Sequence, residues 1–299
     1  MGEIEVDGHH IEITHPEKVI WENQGITKMD YIQYLLDVSF YLIQHAKERL
    51  LMIWVYPNGI HGKKIEKRSL PQTAPAWVSH TLYKQKERIL LNNRATLVWA
   101  ANYGGIEFHV PFDRHDKTDY PLEMVFDLDP PEDNSFDIVL EVAIKLKQLL
   151  ESLGLTSVPR TSGSSGMQVF VPIQPNYTFE QTRKINTFIA QYFAEQMPQH
   201  ITLERVVSKR GNKLYFDYLQ LWKGRTMPVV YTARAKSNPT IATPLTWEEV
   251  ETGIKPTDFT ILNIKNRIEK MGDLFNPVTT EKLYHPLDDI LSFIERNDV

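Results

Sequence analysis

Cysteine is absent from all 299 residues. Disulfides, thiolate zinc sites and cysteine nucleophiles are therefore excluded, and the composition suits a reducing interior. Long hydrophobic runs are lacking as well. The most apolar stretch, residues 38–56, is broken by His45, Lys47, Glu48 and Arg49, so it cannot span a bilayer as one helix. The N-terminal MGEIEVDGHHIEI is acidic and alternates like a strand, unlike a signal peptide. A cytoplasmic protein with no membrane partner is expected. Excess basic charge is also missing: Lys+Arg is 33 against 38 Asp+Glu, a net charge of −5. Any contact with nucleic acid must therefore use local basic patches. What remains is ordinary for a globular chain, 42% hydrophobic and 24% charged. The length allows one large domain or two ordinary ones. No internal repeat or low-complexity run is visible.

Periodicity predicts the following order. Thr27 caps a helix from Lys28 to about Arg49, with Tyr31, Tyr34, Leu35, Val38, Tyr41 and Leu42 at helical spacing. A strand ending at the Pro57-Asn58-Gly59 turn follows, then a basic segment with Lys63, Lys64, Lys67 and Arg68, then a helix over Asn93–Ala101. The centre reads as a strand Met124–Asp129 and a helix beginning at Ser135. Strands Thr156–Arg160 and Met167–Ile173 come next, and then a helix from Thr178 to about Met197 that buries Ile185, Phe188, Ile189, Tyr192 and Phe193. Ile201–Val207 and Leu214–Leu219 read as a hairpin. The β-α-β-β-α-β order is that of a ferredoxin-like sheet, with one strand added by the hairpin. Short helices over the tail are expected to cover it. The fold class is α+β.

Asp127 and Asp129 are two apart on an apolar strand, so both carboxylates leave the same face. Adjacent carboxylates raise each other's pKa unless a cation lies between them, and an all-oxygen set suits Mg²⁺ or Mn²⁺. A strand end carrying two solvated acids is the plainer alternative. Asp217 interrupts a second apolar strand, Leu214-Tyr215-Phe216-Asp217-Tyr218-Leu219. There it calls for either a metal or a basic partner. Three such acids on neighbouring strands would make a two-metal site, with ions about 3.5–4 Å apart serving an in-line displacement. The turn Thr161-Ser162-Gly163-Ser164-Ser165-Gly166 offers hydroxyls and backbone N–H groups to phosphate oxygens, or is a plain hairpin turn. No Gly-Lys-Ser/Thr follows, so it is not a Walker loop. Arg210, Arg234 and Lys236 could supply cations for a triphosphate. His109 alternates with apolar residues, as a structural strand histidine would.

Taken in order, Phe126-Asp127-Leu128-Asp129-Pro130, the Thr161–Gly166 turn, Phe216-Asp217-Tyr218 and Ala242-Thr243-Pro244-Leu245-Thr246-Trp247-Glu248-Glu249 resemble a family. With Thr14-His15-Pro16-x-Lys18 and Gly25-Ile26-Thr27-Lys28 they make nearly the whole chain similar to the polymerase domain of bacterial ligase D, within the archaeo-eukaryotic primase superfamily. The resemblance implies a single primase-polymerase domain over 1–299, with a DNA-end-binding lobe at 1–120 and a catalytic lobe at 121–299. It implies template-directed nucleotidyl transfer at gaps or break ends in non-homologous end joining, favouring ribonucleotides and using two Mn²⁺ or Mg²⁺ ions. By position it implies that Asp127, Asp129 and Asp217 bind metal and that Ser162, Gly163, His109, Arg210 and Arg234 bind the incoming NTP or dNTP. Lys18, Lys28 and Lys67 would grip a DNA 5′-phosphate. Ku and an ATP-dependent ligase become expected partners, and the bacterial nucleoid the expected location.

The chain departs from the family pattern at several positions. Ser165 stands where a lysine is usual, Gln168 where a histidine is common, Ile65 in place of an aromatic, and Trp54 and Val55 in place of basic residues. No ligase or nuclease motif is read, which fits either a free-standing protein or an excised domain. Two other functions are weighed. A non-catalytic DNA-end scaffold of the same family would fit the departures. A haloacid-dehalogenase-type phosphatase also places Asp-x-Asp after a strand, but it expects Thr or Val where Pro130 and Pro131 follow.

Overall fold

The computed structural model describes residues 2–131 and 136–297. The chain divides into two compact units that interleave in sequence. One comprises Met1–Pro111, Thr226–Ala242 and Thr257–Asp273, and the other Phe112–Arg225, Thr243–Pro256 and Leu274–Val299. Among the described residues no helix is long and apolar enough to cross a membrane.

The first unit opens with the hairpin Gly2–Val6/His9–Ile13. Its two-residue turn, Asp7-Gly8, has positive φ at both positions (52° and 77°), the left-handed turn that matches strand twist. The helix Lys28–Ala46 starts where the sequence places it. Thr27 accepts the Asp30 N–H, and the Asp30 carboxylate accepts the Thr27 N–H. It ends three residues early, at Ala46, and buries Tyr31, Tyr34, Leu35, Val38 and Leu42. The unit's four-stranded sheet runs in the order Thr226–Pro228, Gly105–Pro111, Met52–Val55, Ile65–Lys67. Gly105–Pro111 is central and buried throughout. Strand alternation puts Glu107 and His109 on one of its faces and Phe108 on the other.

The second unit is built on a five-stranded sheet. Its order is Val158–Thr161, Met167–Pro172, Glu123–Asp129, Leu214–Asp217, Ile201–Thr202. The first, second, third and fifth of these, with the helices Asp137–Ser152 and Phe179–Gln196, form the ferredoxin-like set. The added strand, Leu214–Asp217, inserts between two of them. The expected hairpin is not formed, because Ile201–Thr202 and Leu214–Asp217 pair in parallel. Residues 203–213 carry a 3₁₀ turn at Val207–Lys209 and bring the chain back to the start of the neighbouring strand. Ser135, the expected helix start, lies outside the described residues. Thr178 and Gln181 make the expected capping box. The buried residues of that helix are Phe179, Thr182, Ile185, Asn186, Ile189, Ala190 and Phe193; of the expected stripe, Phe188 is only half-buried and Tyr192 is exposed. Phe193 packs on Phe216, which meets Phe126 edge-on. Helical cover therefore lies on the Phe126/Phe216 face, and by alternation Asp127, Asp129 and Asp217 project from the other.

Candidate active site

Antiparallel pairing places Asp127 directly opposite Asp217, and Asp129 opposite Tyr215. One carboxylate oxygen from each of Asp127, Asp129 and Asp217 lies within 4.8 Å of the other two. Burial pushes the Asp127 carboxyl well above the usual range, and the charges of Asp129 and Asp217 push it further. A hydrogen bond from Gln168 and the charge of Arg160 oppose this. Asp129 is raised to about 6 by burial and then by Asp217, with Arg210 pulling the other way. Arg210 is itself held by the carbonyls of Glu204 and Arg205 and lies over the Tyr215 ring, 3.7 Å from its centroid. Tyr215 in turn donates to Asp217 Oδ1 at 3.0 Å. Three converging carboxylates with few donors to satisfy them form a donor set that a hard divalent cation completes.

The Thr161–Gly166 turn joins two strands of the same sheet. Ser162 Oγ accepts the N–H groups of Ser164 and Gly166, each at 3.1 Å, and Ser162 N–H donates to Gly166 O at 2.9 Å. Three of the turn's amides thus bond within it and staple it, a structural use the sequence does not reveal. Gly163 has φ of 69°, which only glycine adopts without strain. Gly166 has a different constraint: a Cβ there would lie 2.5 Å from Leu128 O and 3.2 Å from Asp129 Oδ1. Gly166→Ala is expected to lower stability by about 1–3 kcal/mol by forcing the turn off the carboxylate strand. The urea unfolding midpoint measures it.

In the first unit a buried acid that the sequence reading did not single out gathers several partners. Glu107 Oε1 accepts from Tyr56 Oη (2.9 Å) and Ala235 N–H (3.2 Å), and Oε2 from Arg234 Nε (2.8 Å). His109 Nε2 lies 3.2 Å from Oε2. The carboxylate can only accept there, so the imidazole donates. Burial pushes the Glu107 carboxyl up. The bond from His109, the charges of Arg234 and His109, and the Ala235 amide outweigh it and hold it at about 2. His109 also stacks on Trp54 (4.9 Å, 13° between planes), and Lys64 Nζ lies 3.5 Å from the centroid of that indole. Positive charge thus stands on Trp54 although the position itself is apolar. The only hint in the sequence is an acid within the buried alternation Ile106-Glu107-Phe108-His109. Lys236 is exposed, and its carbonyl accepts the Trp21 indole N–H.

A third cluster, also in the first unit, lines a cavity of about 190 Å³ with His15, Lys18, Lys28, Tyr56 and Asn102 among its walls. Lys28 Nζ donates to Thr14 O (2.6 Å), Thr14 Oγ1 (3.0 Å) and Asn102 O (2.9 Å), and Lys18 Nζ to Pro57 O (3.0 Å). Burial, then repulsion from Lys18, lowers the Lys28 pKa to about 8. Lys67 is on the strand Ile65–Lys67 and is not among the residues lining this cavity.

Three convergent carboxylates on adjacent antiparallel strands of a ferredoxin-like sheet define an α+β protein with a candidate divalent-cation site. The family is particular: residues 27–275 match the LigD primase-polymerase domain, and the chain belongs to that family. It is 36% identical over 287 residues to the bifunctional non-homologous end joining protein LigD of Bacillus subtilis, covering 96% of this chain and 47% of that one. It is 27% identical over 278 residues to the multifunctional LigD of Mycolicibacterium smegmatis, covering 91% and 36% respectively. The chain thus spans about half or less of the length of these relatives. A solved structure, the polymerase domain of Mycobacterium tuberculosis ligase D in complex with DNA, matches with a TM-score of 0.81 at 25% identity. The match covers 90% of this chain and 97% of that one.

Proposed function

We propose that the chain extends a DNA 3′ end, template-directed, at gaps or double-strand-break ends, in the end-joining pathway for which its LigD relatives are named. The observation that carries it is the clustering of Asp127, Asp129 and Asp217 within 4.8 Å on adjacent strands. These three residues would hold two Mg²⁺ or Mn²⁺ ions. Bound there, the ions supply the positive charge that activates a 3′ hydroxyl and neutralises a triphosphate. The protein's own contribution is to converge the carboxylates before any cation arrives. Nucleotide binding is assigned to Ser162, Gly163 and Arg210 in the second unit and to His109 and Arg234 in the first. In each unit the support is local. Arg210 is fixed on Tyr215, and Arg234 and His109 are fixed on Glu107. Ku and an ATP-dependent ligase as partners, and a place at the bacterial nucleoid, belong to the same proposal.

The test is incorporation on a gapped, 5′-phosphorylated duplex with Mn²⁺, comparing ribonucleotides with deoxyribonucleotides. Extension that favours ribonucleotides is expected. Tight binding with no extension, unaltered by Asp217→Ala, would favour a scaffold.

The 5′-phosphate is assigned to the Lys18/Lys28 cavity, with Lys67 as an outlying contact. Two lysines close enough to lower one pKa are relieved by an anion. Lys28→Met is expected to cut the preference for a 5′-phosphorylated gap about tenfold. In the unaltered protein that preference should weaken as pH rises through about 8. Below that pH Lys28 is charged before binding, and above it each binding event must take up a proton. Fluorescence anisotropy with phosphorylated and unphosphorylated gaps reads both effects.

A further inference from the structure

Four side chains stand in one row across the five-stranded sheet. Arg160 is directly opposite Gln168, Gln168 opposite Asp127, and Asp127 opposite Asp217, on four successive strands. Opposed residues share a face, with Cβ atoms about 4.5–5.5 Å apart, within reach of each other's polar ends. Arg160 Nε and Nη2 donate to Gln168 Oε1 at 3.3 and 3.2 Å, and Gln168 Nε2 donates to Asp127 Oδ1 at 2.8 Å. The chemistry fixes that order of atoms. A guanidinium only donates, so Gln168 must turn its carbonyl toward Arg160, and its NH₂ then faces Asp127. Arg160 is firmly held: it is 1% exposed, and its guanidinium lies 4.7 Å from the centroid of the Phe170 ring. The last torsion of an aspartate is broad and roughly two-fold, so a carboxylate anchored at one oxygen loses freedom it would otherwise have.

We propose that Gln168 is a positioning residue for cation binding: oriented by Arg160, its amide fixes the Asp127 carboxylate and so raises the affinity of the cluster for a divalent ion. This rests on the reading that Asp127, Asp129 and Asp217 hold such an ion. Residues that orient metal ligands through a second hydrogen bond are typically worth 10–100-fold in metal affinity. A neutral imidazole could take the same place, accepting from Arg160 at one nitrogen and donating to Asp127 from the other. A shorter amide could satisfy only one neighbour.

The test is Mn²⁺ binding to the purified chain, with free Mn²⁺ read by electron paramagnetic resonance and melting temperature measured without metal. Gln168→Met and Gln168→Asn should weaken Mn²⁺ binding about tenfold or more, Gln168→His should stay within about threefold of the unaltered protein, and Asp127→Asn should lose most binding. If Gln168→Met does not fold, Gln168→Asn, polar and one methylene shorter, decides. Unchanged Mn²⁺ affinity in folded Gln168→Asn overturns the proposal, as does an equal loss in Gln168→His. If Asp127→Asn loses binding while Gln168→Asn keeps it, the positioning role alone falls. If Asp127→Asn binds Mn²⁺ normally, the cation site itself falls with it.

Discussion

Replacing Asp129 by asparagine is expected to cut nucleotide incorporation about a thousandfold while making the metal-free protein more stable. The loss follows from removing one of three oxygen donors where the reaction's charge must be neutralised. The gain follows from the sign of the pKa shift. Asp129 is raised to about 6, so its carboxyl favours folding fully only below the ordinary carboxylate range and loses that contribution as pH rises through about 6. At neutral pH the folded protein carries a charge it would rather shed. The isosteric amide removes it, for a gain of about 1–2 kcal/mol after allowance for solvent screening. Added Mn²⁺ should raise the melting temperature of the unaltered protein and barely move that of Asp129→Asn. Primer extension and calorimetry with and without Mn²⁺ check the pair of effects. A variant that loses activity and stability together would show these acids to be structural.

The second large effect is expected at Glu107, with the opposite sign. Its carboxyl is held at about 2, well below its ordinary value, so it stabilises the fold above the usual carboxylate range. That contribution is lost as pH falls through about 4 toward 2. Glu107→Gln should cost on the order of 3 kcal/mol at neutral pH and flatten the acid limb of the stability profile over that window. The reason is specific: four donors converge on Glu107, and an amide in its place offers one acceptor oxygen and two unwanted donors. Because Arg234 and His109 are positioned by it, the apparent KM for nucleotide should rise more than kcat falls. Urea titrations from pH 2.5 to 7 and steady-state kinetics measure the two consequences.

The unequal legibility of the two clusters in the sequence has a physical cause. Asp127, Asp129 and Asp217 stand out because each breaks a run of residues that otherwise bury, and a charge in such a run needs a partner. The helix starts at Thr27 and Thr178 are equally visible, since a cap and its reciprocal residue lie three apart. Glu107 is obscure because three of its four partners, Tyr56, Arg234 and Ala235, are 51, 127 and 128 residues away, and a lone acid beside a histidine has no pattern of its own. Gln168 is visible only as a departure from the family's usual residue. Its role needs the strand order, which local periodicity does not carry. The same holds for the parallel pairing of Ile201–Thr202. Two β-prone stretches flanking a Gly-Asn pair look like a hairpin, and only the path of residues 203–213 says otherwise.

The insertion of Leu214–Asp217 beside Glu123–Asp129 gives the two flanks of that strand very different freedom to vary. The register of the acids does not depend on the length of the stretch before it, since nothing in the pairing counts its residues. One residue added within the four would turn Asp217 to the helix-covered face and bring Phe216 out among the carboxylates. Insertions and deletions among descendants of this gene should therefore stop abruptly at Leu214, and those before it should spare residues 204–210, which hold the Arg210 guanidinium on Tyr215.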